Sequence, residues 1–229
     1  MTERKVAVFD IDGTIFRSSL VLELVEALVL REIFPLSARD MYQGVKEDWK
    51  NRKGEYEPFI RAVVKSFAEH AKGASFEEVS HVAGEVIEAQ KDRVYRYTRD
   101  LVQEYKRKGY FMLAISHSPK FIVDGFAYEQ GFDKSYGTYY ETGPTDRFTG
   151  TIQDEYLIMN KGAILKHAVE KEGCTFIESV GVGDTESDIS MLEMVATPIA
   201  FNPNRALYRH ALSRGWNVVV ERKDVIYDI

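Results

Sequence analysis

Asp10 and Asp12 close an apolar run, KVAVFD followed by IDGT, and so place two carboxylates where the chain leaves a strand-like segment. Two later runs also end in polar residues: GYFMLAISHS reaches Ser116 and His117, and FIESVGVGD reaches Asp184, with Asp188 following in GDTESD. Lys161 opens a helical stretch between them. An acidic turn such as DIDGT can be a metal loop, a helix cap or a carboxylate nucleophile, and its neighbours decide which. In α/β sheets ligands bind beyond the carboxyl ends of strands, where all of these residues fall. Carboxylates gathered there repel, each pair at ~4 Å costing about 4 kcal/mol at an effective dielectric of ~20. A cation must therefore sit among them. Lys161 supplies one charge. Mg²⁺ supplies two, takes hard oxygen ligands and commonly uses a couple of carboxylates with phosphate and water. A calcium loop of the EF-hand type would need glycine and glutamate at its sixth and twelfth positions, which here are Ile15 and Val21.

The elements that must position these residues follow from apolar periodicity. KVAVFD, GYFMLAISHS, FIESVGVGD, TPIAF and WNVVV are strand-like in length and in β-branched or aromatic content. Residues 120–130, 161–171, 187–194 and 204–213 have helical patterns, several behind Ser, Asp or Asn at cap positions. The alternation predicts an α/β fold, a Rossmann-like parallel sheet with helices on both faces. Residues 17–97 break the pattern, with helical candidates at 20–34, 58–70 and 76–97 and no strand. They are expected to form an all-helical insert in a core made of residues 1–16 and 98–229. Residues 136–158, rich in Gly, Thr and aromatics, predict a small β-hairpin.

Composition bounds the function. The 229 residues are 45% hydrophobic and 29% charged, as in folded globular proteins. Thirty basic against thirty-six acidic residues give a net charge of -6 without a basic block, which argues against nucleic acid as a partner. Cys174 is the single cysteine, so no intramolecular disulfide and no Cys-based zinc site can form, and a reduced thiol in the cytoplasm is expected. The apolar run at residues 6–9 is too short for a signal-peptide core. Residues 20–34 are interrupted by Glu23, Glu26, Arg31 and Glu32 and do not read as a membrane span, although their apolar face could support a homodimer.

Together, DxDGT after the first strand, Ser116 after the second, Lys161 and the GDTESD motif resemble the haloacid dehalogenase superfamily, and the insert resembles its helical C1-type cap in the phosphoserine-phosphatase-like branch. The resemblance implies a Mg²⁺-dependent phosphatase in which Asp10 is the nucleophile that forms an aspartyl-phosphate and Asp12 is the acid and base. It implies that Asp184, one oxygen of Asp10 and the backbone carbonyl of Asp12 hold the metal, and that Ser116 and Lys161 bind the phosphoryl oxygens. Asp188 would orient Lys161 or a metal-bound water. Gly13 would make a tight turn, its amide and that of His117 facing the phosphate. The dehalogenases lack the second aspartate, so Asp12 favours phosphate esters over carbon–halogen bonds. A phosphomutase would share the core residues, and a silent phosphate-binding protein would have little use for an intact set.

Phosphoserine phosphatases carry a glutamate nine residues beyond the nucleophile, where this chain has Ser19, and glycines after the serine of the second motif, where it has His117 and Ser118. These departures point to another small phosphorylated metabolite, since a site loses discrimination when a charged partner is missing. Candidates for contacting its leaving group are Phe16, Arg17, Ser19 and, with the insert folded down over the site as expected, Trp49, Arg52, Tyr56 and Arg61. His70, His81, His167 and His210 lie in helical stretches without metal-ligand spacing.

Overall fold

The protein is described here from a computed structural model, which places residues 4–153 and 160–229. Among these residues eight strands form one sheet: β1 (Arg4–Phe9), β2 (Phe111–Pro119), β3 (Lys134–Thr142), β4 (Phe148–Gln153), β5 (Cys174–Gly183), β6 (Thr197–Phe201), β7 (Asn217–Arg222) and β8 (Val225–Asp228). Their order is β4-β3-β2-β1-β5-β6-β7-β8. The pairs from β3 through β7 are parallel, and antiparallel β4 and β8 close the two edges. β1 alternates its side chains between the faces, Val6 and Val8 to one side, Ala7 and Phe9 to the other, and all four are fully buried. Burial on both faces is why a parallel strand reads as an unbroken apolar run.

The chain leaves β1 to build one half of the sheet through β2 and β3, and then returns to β5 on the other side of β1. This is a topological switch point. Phe9, the last residue of β1, pairs with Ala114 of β2 and with Val182 of β5, so the residues that follow these three positions lie at one level of the sheet.

Among the described residues nine α-helices accompany the sheet. α1 (Leu20–Leu30), α2 (Ser37–Lys50), α3 (Tyr56–Ala71), α4 (Phe76–Gln90) and α5 (Arg96–Arg107) lie between β1 and β2. α6 (Lys120–Gln130), α7 (Lys161–Glu172), α8 (Ile189–Leu192) and α9 (Arg205–Arg214) follow. α2 has no counterpart in the sequence reading because it buries just Ala38 and Tyr42, too few apolar positions for a visible stripe. The single helix expected at 76–97 is two: α4 ends at Gln90, and α5 begins where Glu221 of β7 accepts from the amides of Arg96 (3.1 Å) and Tyr97 (2.8 Å). A cap supplied from 124 residues away has no local signature. Residues 187–194 also divide, into a 3₁₀ turn at Glu186–Asp188 and the one-turn α8. β3 and β4 form the expected hairpin, with Tyr139 opposite Gln153 and Thr142 opposite Phe148, but β3 also extends the parallel sheet beside β2. Residues 154–158 of that expectation lie outside the described residues. No described helix is long and apolar enough to cross a membrane.

The chain enters and leaves the helical insert side by side. The Arg17 amide donates to Arg93 (3.0 Å) and the Tyr95 amide to Ile15 (2.9 Å), so the two crossings form a short ribbon. The insert also shares one hydrophobic cluster with a face of the sheet. Phe67 of α3 joins it to the hairpin and α6, its ring 4.9 Å from Tyr140, 6.3 Å from Phe148 and 6.4 Å from Phe121. Fully burying Phe67 in this cluster means that Phe67→Ala should cost about 3–5 kcal/mol of unfolding free energy, read as a lower denaturation midpoint in urea.

Candidate active site

The residues after β1 turn back sharply: the amides of Thr14, Ile15 and Phe16 all donate to Ile11 (3.2, 2.9 and 2.9 Å). Gly13 sits in this turn at φ +81°, and a Cβ there would lie 2.1 Å from Asp184 Oδ2. Any side chain would push Asp184 off the edge. The Gly13 amide donates to Phe16 (3.0 Å) and Ser18 (3.1 Å), which corrects the expectation that it faces a bound phosphate: the tightness of the turn consumes it.

Lys161 is the first residue of α7, behind Asn160, whose side chain accepts from the Ala163 amide. A cation at a helix N-terminus opposes the helix dipole, so something else must hold it. Its ammonium lies 2.6 Å from Asp10 Oδ1 and 2.6 Å from Asp188 Oδ1, with all three side chains buried. Burial disfavours the ammonium, but the two carboxylates outweigh it and hold its pKa above the usual lysine value. Asp188 spends its other oxygen on the amides of Asp184 (2.9 Å) and Thr185 (3.0 Å). Gly183 makes room for this, since a Cβ there would lie 2.5 Å from the Asp188 side chain. With both oxygens engaged, Asp188 is placed to orient Lys161 and the loop after β5.

Asp10, Asp184 and Asp188 are all buried and offer carboxylate oxygens within 4.8 Å of one another. One lysine faces three carboxylates. Burial pushes Asp10 up to about 7, with Lys161 pulling it down and Asp188 and Asp12 adding to the rise. Asp184 rises well above the carboxylate range through burial and the charges of Asp10 and Asp188. Thr14 bridges weakly, its hydroxyl 3.3 Å from Asp10 Oδ2 and 3.4 Å from Asp184 Oδ1. An all-oxygen set with uncompensated negative charge fits Mg²⁺ well and a soft metal poorly.

Asp12 faces the other way and is outside that acidic group. Its Oδ2 accepts from Ser116 (2.6 Å) and Ser118 (2.8 Å), and its Oδ1 from the Leu20 amide (2.5 Å) at the start of α1. Burial raises its pKa, and these hydrogen bonds oppose the rise. Two residues two positions apart on a strand face the same way. That period could have marked Ser118 as a second partner of Asp12, where the sequence reading saw in it just a departure from glycine. Thr14 was missed too, and its place inside DIDGT was the available signal.

Asp10, Asp12, Ser19, His117, Lys161 and Asp184 line one cavity of about 290 Å³. The His117 carbonyl accepts from Thr138 (2.6 Å). From the insert, Tyr56 and Arg61 face the same space. Arg17, Trp49, Arg52 and again Tyr56 line a larger cavity of about 660 Å³, which also reaches Asp184. Phe16 is fully buried, its ring 5.3 Å from Phe126, and so belongs to the core and not to a substrate surface.

A family model described as haloacid dehalogenase-like hydrolase matches residues 7–193, and the chain belongs to that family. It is 26% identical over 224 residues to a histidinol-phosphatase of Neisseria meningitidis serogroup C, over 94% of this chain and 98% of that one. It is 27% identical over 209 residues to a phosphoserine phosphatase of Archaeoglobus fulgidus, over 90% of this chain. The chain spans 54% of the length of that relative and of one other. Among solved structures it superposes on a phosphoserine phosphatase carrying an analogue of the phospho-aspartyl intermediate, with a TM-score of 0.62 over 97% of this chain and 96% of that one. At 22% identity that likeness establishes the fold, a mixed α/β sheet of the phosphoserine-phosphatase kind.

Removing Lys161 leaves two buried carboxylates facing one another without a counter-charge. Lys161→Ala should lose about 3–5 kcal/mol of stability by chemical denaturation, and Lys161→Arg should recover little, because a planar guanidinium does not reproduce the compact ammonium held at 2.6 Å by two carboxylates.

Proposed function

We propose that this protein is a Mg²⁺-dependent phosphatase that hydrolyses a small phosphomonoester through an aspartyl-phosphate on Asp10. The observation that carries this reading is the contrast between two carboxylates two residues apart. Asp10 stands beside Lys161 in the acidic group, and Asp12, which lines the same cavity, is held by two serines. The names of the histidinol-phosphate and phosphoserine relatives agree with a phosphate ester of a small polar alcohol.

In this reading an oxygen of Asp10 attacks phosphorus while Asp12, whose buried carboxyl retains its proton more readily than an exposed one, protonates the departing alcohol oxygen. The phosphorus–oxygen bond to the alcohol breaks as the bond to Asp10 forms. Asp12 then takes a proton from water, which attacks the phosphorus and frees Asp10 and inorganic phosphate. Lys161, Ser116 and the backbone at His117 hold the transferring oxygens, where charge spread makes fixed donors effective. Asp10, Asp184 and the Asp12 carbonyl would hold Mg²⁺, which supplies positive charge to the phosphoryl oxygens. Residues 17–97 act as the cap over a core of residues 1–16 and 98–229. The enzyme works as a soluble cytoplasmic protein on a free metabolite.

Release of inorganic phosphate from p-nitrophenyl phosphate should require Mg²⁺ and disappear in Asp10→Asn; an Asp10→Asn protein with wild-type turnover rules the mechanism out. Asp12→Asn should lower kcat by about 10²–10⁴-fold, the usual contribution of a positioned proton donor and acceptor. Appearance of a phosphorylated alcohol in place of free phosphate would assign a transferase.

The metal assignment has its own readout. Mg²⁺ at about 100 times its Kd should stabilise the fold by about 2.7 kcal/mol, seen as a rise in Tm. Asp184→Asn should abolish that rise and, by removing one of the crowded charges, should melt no lower than wild type without Mg²⁺. An unchanged Mg²⁺ response in Asp184→Asn would move the metal elsewhere.

A further inference from the structure

The larger cavity is more basic than its place in an acidic chain would suggest. Five cations line it, Arg17, Lys46, Lys50, Arg52 and Arg93, in a protein of net charge -6. Two of them are neutralised from within the wall: Lys46 lies 2.8 Å from Glu26, and Arg93 lies 2.9 Å from Glu23. Among the described residues no carboxylate lies within 4.0 Å of Arg17, Lys50 or Arg52 to form an ion pair. Exposed cations often stand unpaired. What distinguishes these three is convergence on one cavity that opens onto Asp184, with Trp49, Tyr56 and Tyr95 on its walls.

The acids of the cavity are in the opposite condition. Glu23 is engaged by Arg93 and by the Ser18 hydroxyl at 2.6 Å, and Glu26 by Arg39 at 2.7 Å as well as Lys46. Neither is free to receive an ammonium group. The wall therefore has spare positive charge and no spare negative charge beyond the metal-side Asp184.

Arg52 adds an independent observation. α2 ends at Lys50 with Asn51 as its C-cap, and Arg52 takes φ +59° with its amide donating to Trp49 at 3.0 Å. The left-handed residue after a helix is most often glycine, which adopts it without steric cost. An arginine there gives up backbone ease, and in return its side chain reaches the cavity.

We infer that the substrate's leaving group carries a second anionic group, a carboxylate or a phosphate, which Arg17, Lys50 and Arg52 receive in the larger cavity while the scissile phosphate sits over Asp10. This rests on the phosphatase reading and narrows its substrate class: acidic leaving groups are selected, and amine-bearing ones without a compensating acid are not. Arginine pairs with either anion in a bidentate fashion.

The test compares four esters: 3-phosphoglycerate and fructose 1,6-bisphosphate, which carry a second anion, glycerol 1-phosphate, which is neutral beyond its phosphate, and phosphoethanolamine, which is cationic. The kcat/KM of the better anionic ester should exceed that of the neutral one by at least about tenfold, the effect of one charge-assisted hydrogen bond, with phosphoethanolamine lowest. Which anionic ester is better identifies carboxylate or phosphate. Arg52→Gly removes the charge while easing the backbone, so it should fold with an undiminished Tm and reduce the anionic-to-neutral ratio about tenfold. Equal turnover of all four with Mg²⁺ would overturn the inference and leave the phosphatase reading intact, as would an Arg52→Gly protein that keeps the ratio. If no ester is turned over, calorimetric titration of the same four into Asp10→Asn still decides the subsite: tighter binding of the anionic pair supports it, and equal binding rejects it.

Discussion

A buried ammonium between two buried carboxylates holds this structure's working edge together. Lys161 reaches Asp10 at the end of β1 and Asp188 beyond β5, and so ties the two central strands of the sheet to the start of α7. Such a contact is expensive to assemble and more expensive to leave half made. Its neighbours accordingly follow from it: Gly183 clears space for Asp188, Gly13 clears space for Asp184, and Asp188 fixes the loop through two backbone amides. The residual negative charge on Asp10 and Asp184 is what fits this edge to the metal ion of the proposed mechanism.

The second carboxylate of DIDGT links the edge to the insert. Asp12 accepts the first amide of α1, and Ser118, its partner on β2, accepts the next, from Val21 at 3.1 Å. The group assigned to proton transfer is thus also the anchor of the helix that begins the insert. A short backbone ribbon at the crossings and an aromatic cluster around Phe67 hold the insert against the sheet. The cavity wall supplied by Tyr56 is likewise set by packing outside the reacting residues, its ring 5.1 Å from Trp49 and 6.0 Å from Phe59.

This arrangement separates two jobs by distance from the sheet. In the proposed function, residues at strand ends carry what is common to phosphoryl transfer, and residues of the insert carry what distinguishes one leaving group from another. Ser19 is buried at the N-cap of α1 and lines the smaller cavity, without a charge to offer an amine. The cations of the larger cavity without a carboxylate partner among the described residues are Arg17, which lies over the Tyr95 ring, Lys50 and Arg52.

Local sequence determined the strands β1, β2, β5, β6 and β7, the helices after them, and the presence of Asp10, Asp12, Ser116 and Asp184 toward strand ends and of Lys161 at a helix start, because apolar runs and polar terminations are short-range signals. It also marked the insert as helical. The tertiary structure decided what depends on contacts between distant segments. α5 starts at Arg96 because Glu221 caps it, Ser118 joins Ser116 on Asp12, the Gly13 amide is consumed by its own turn, and Phe16 is core. Pairing decided the larger cavity in the same way. Arg17, Lys46, Lys50, Arg52 and Arg93 are alike in sequence as cations, and just the fold shows that Glu26 and Glu23 neutralise two of them and leave three. Charge is a property of a residue, whereas its neutralisation is a property of a distance.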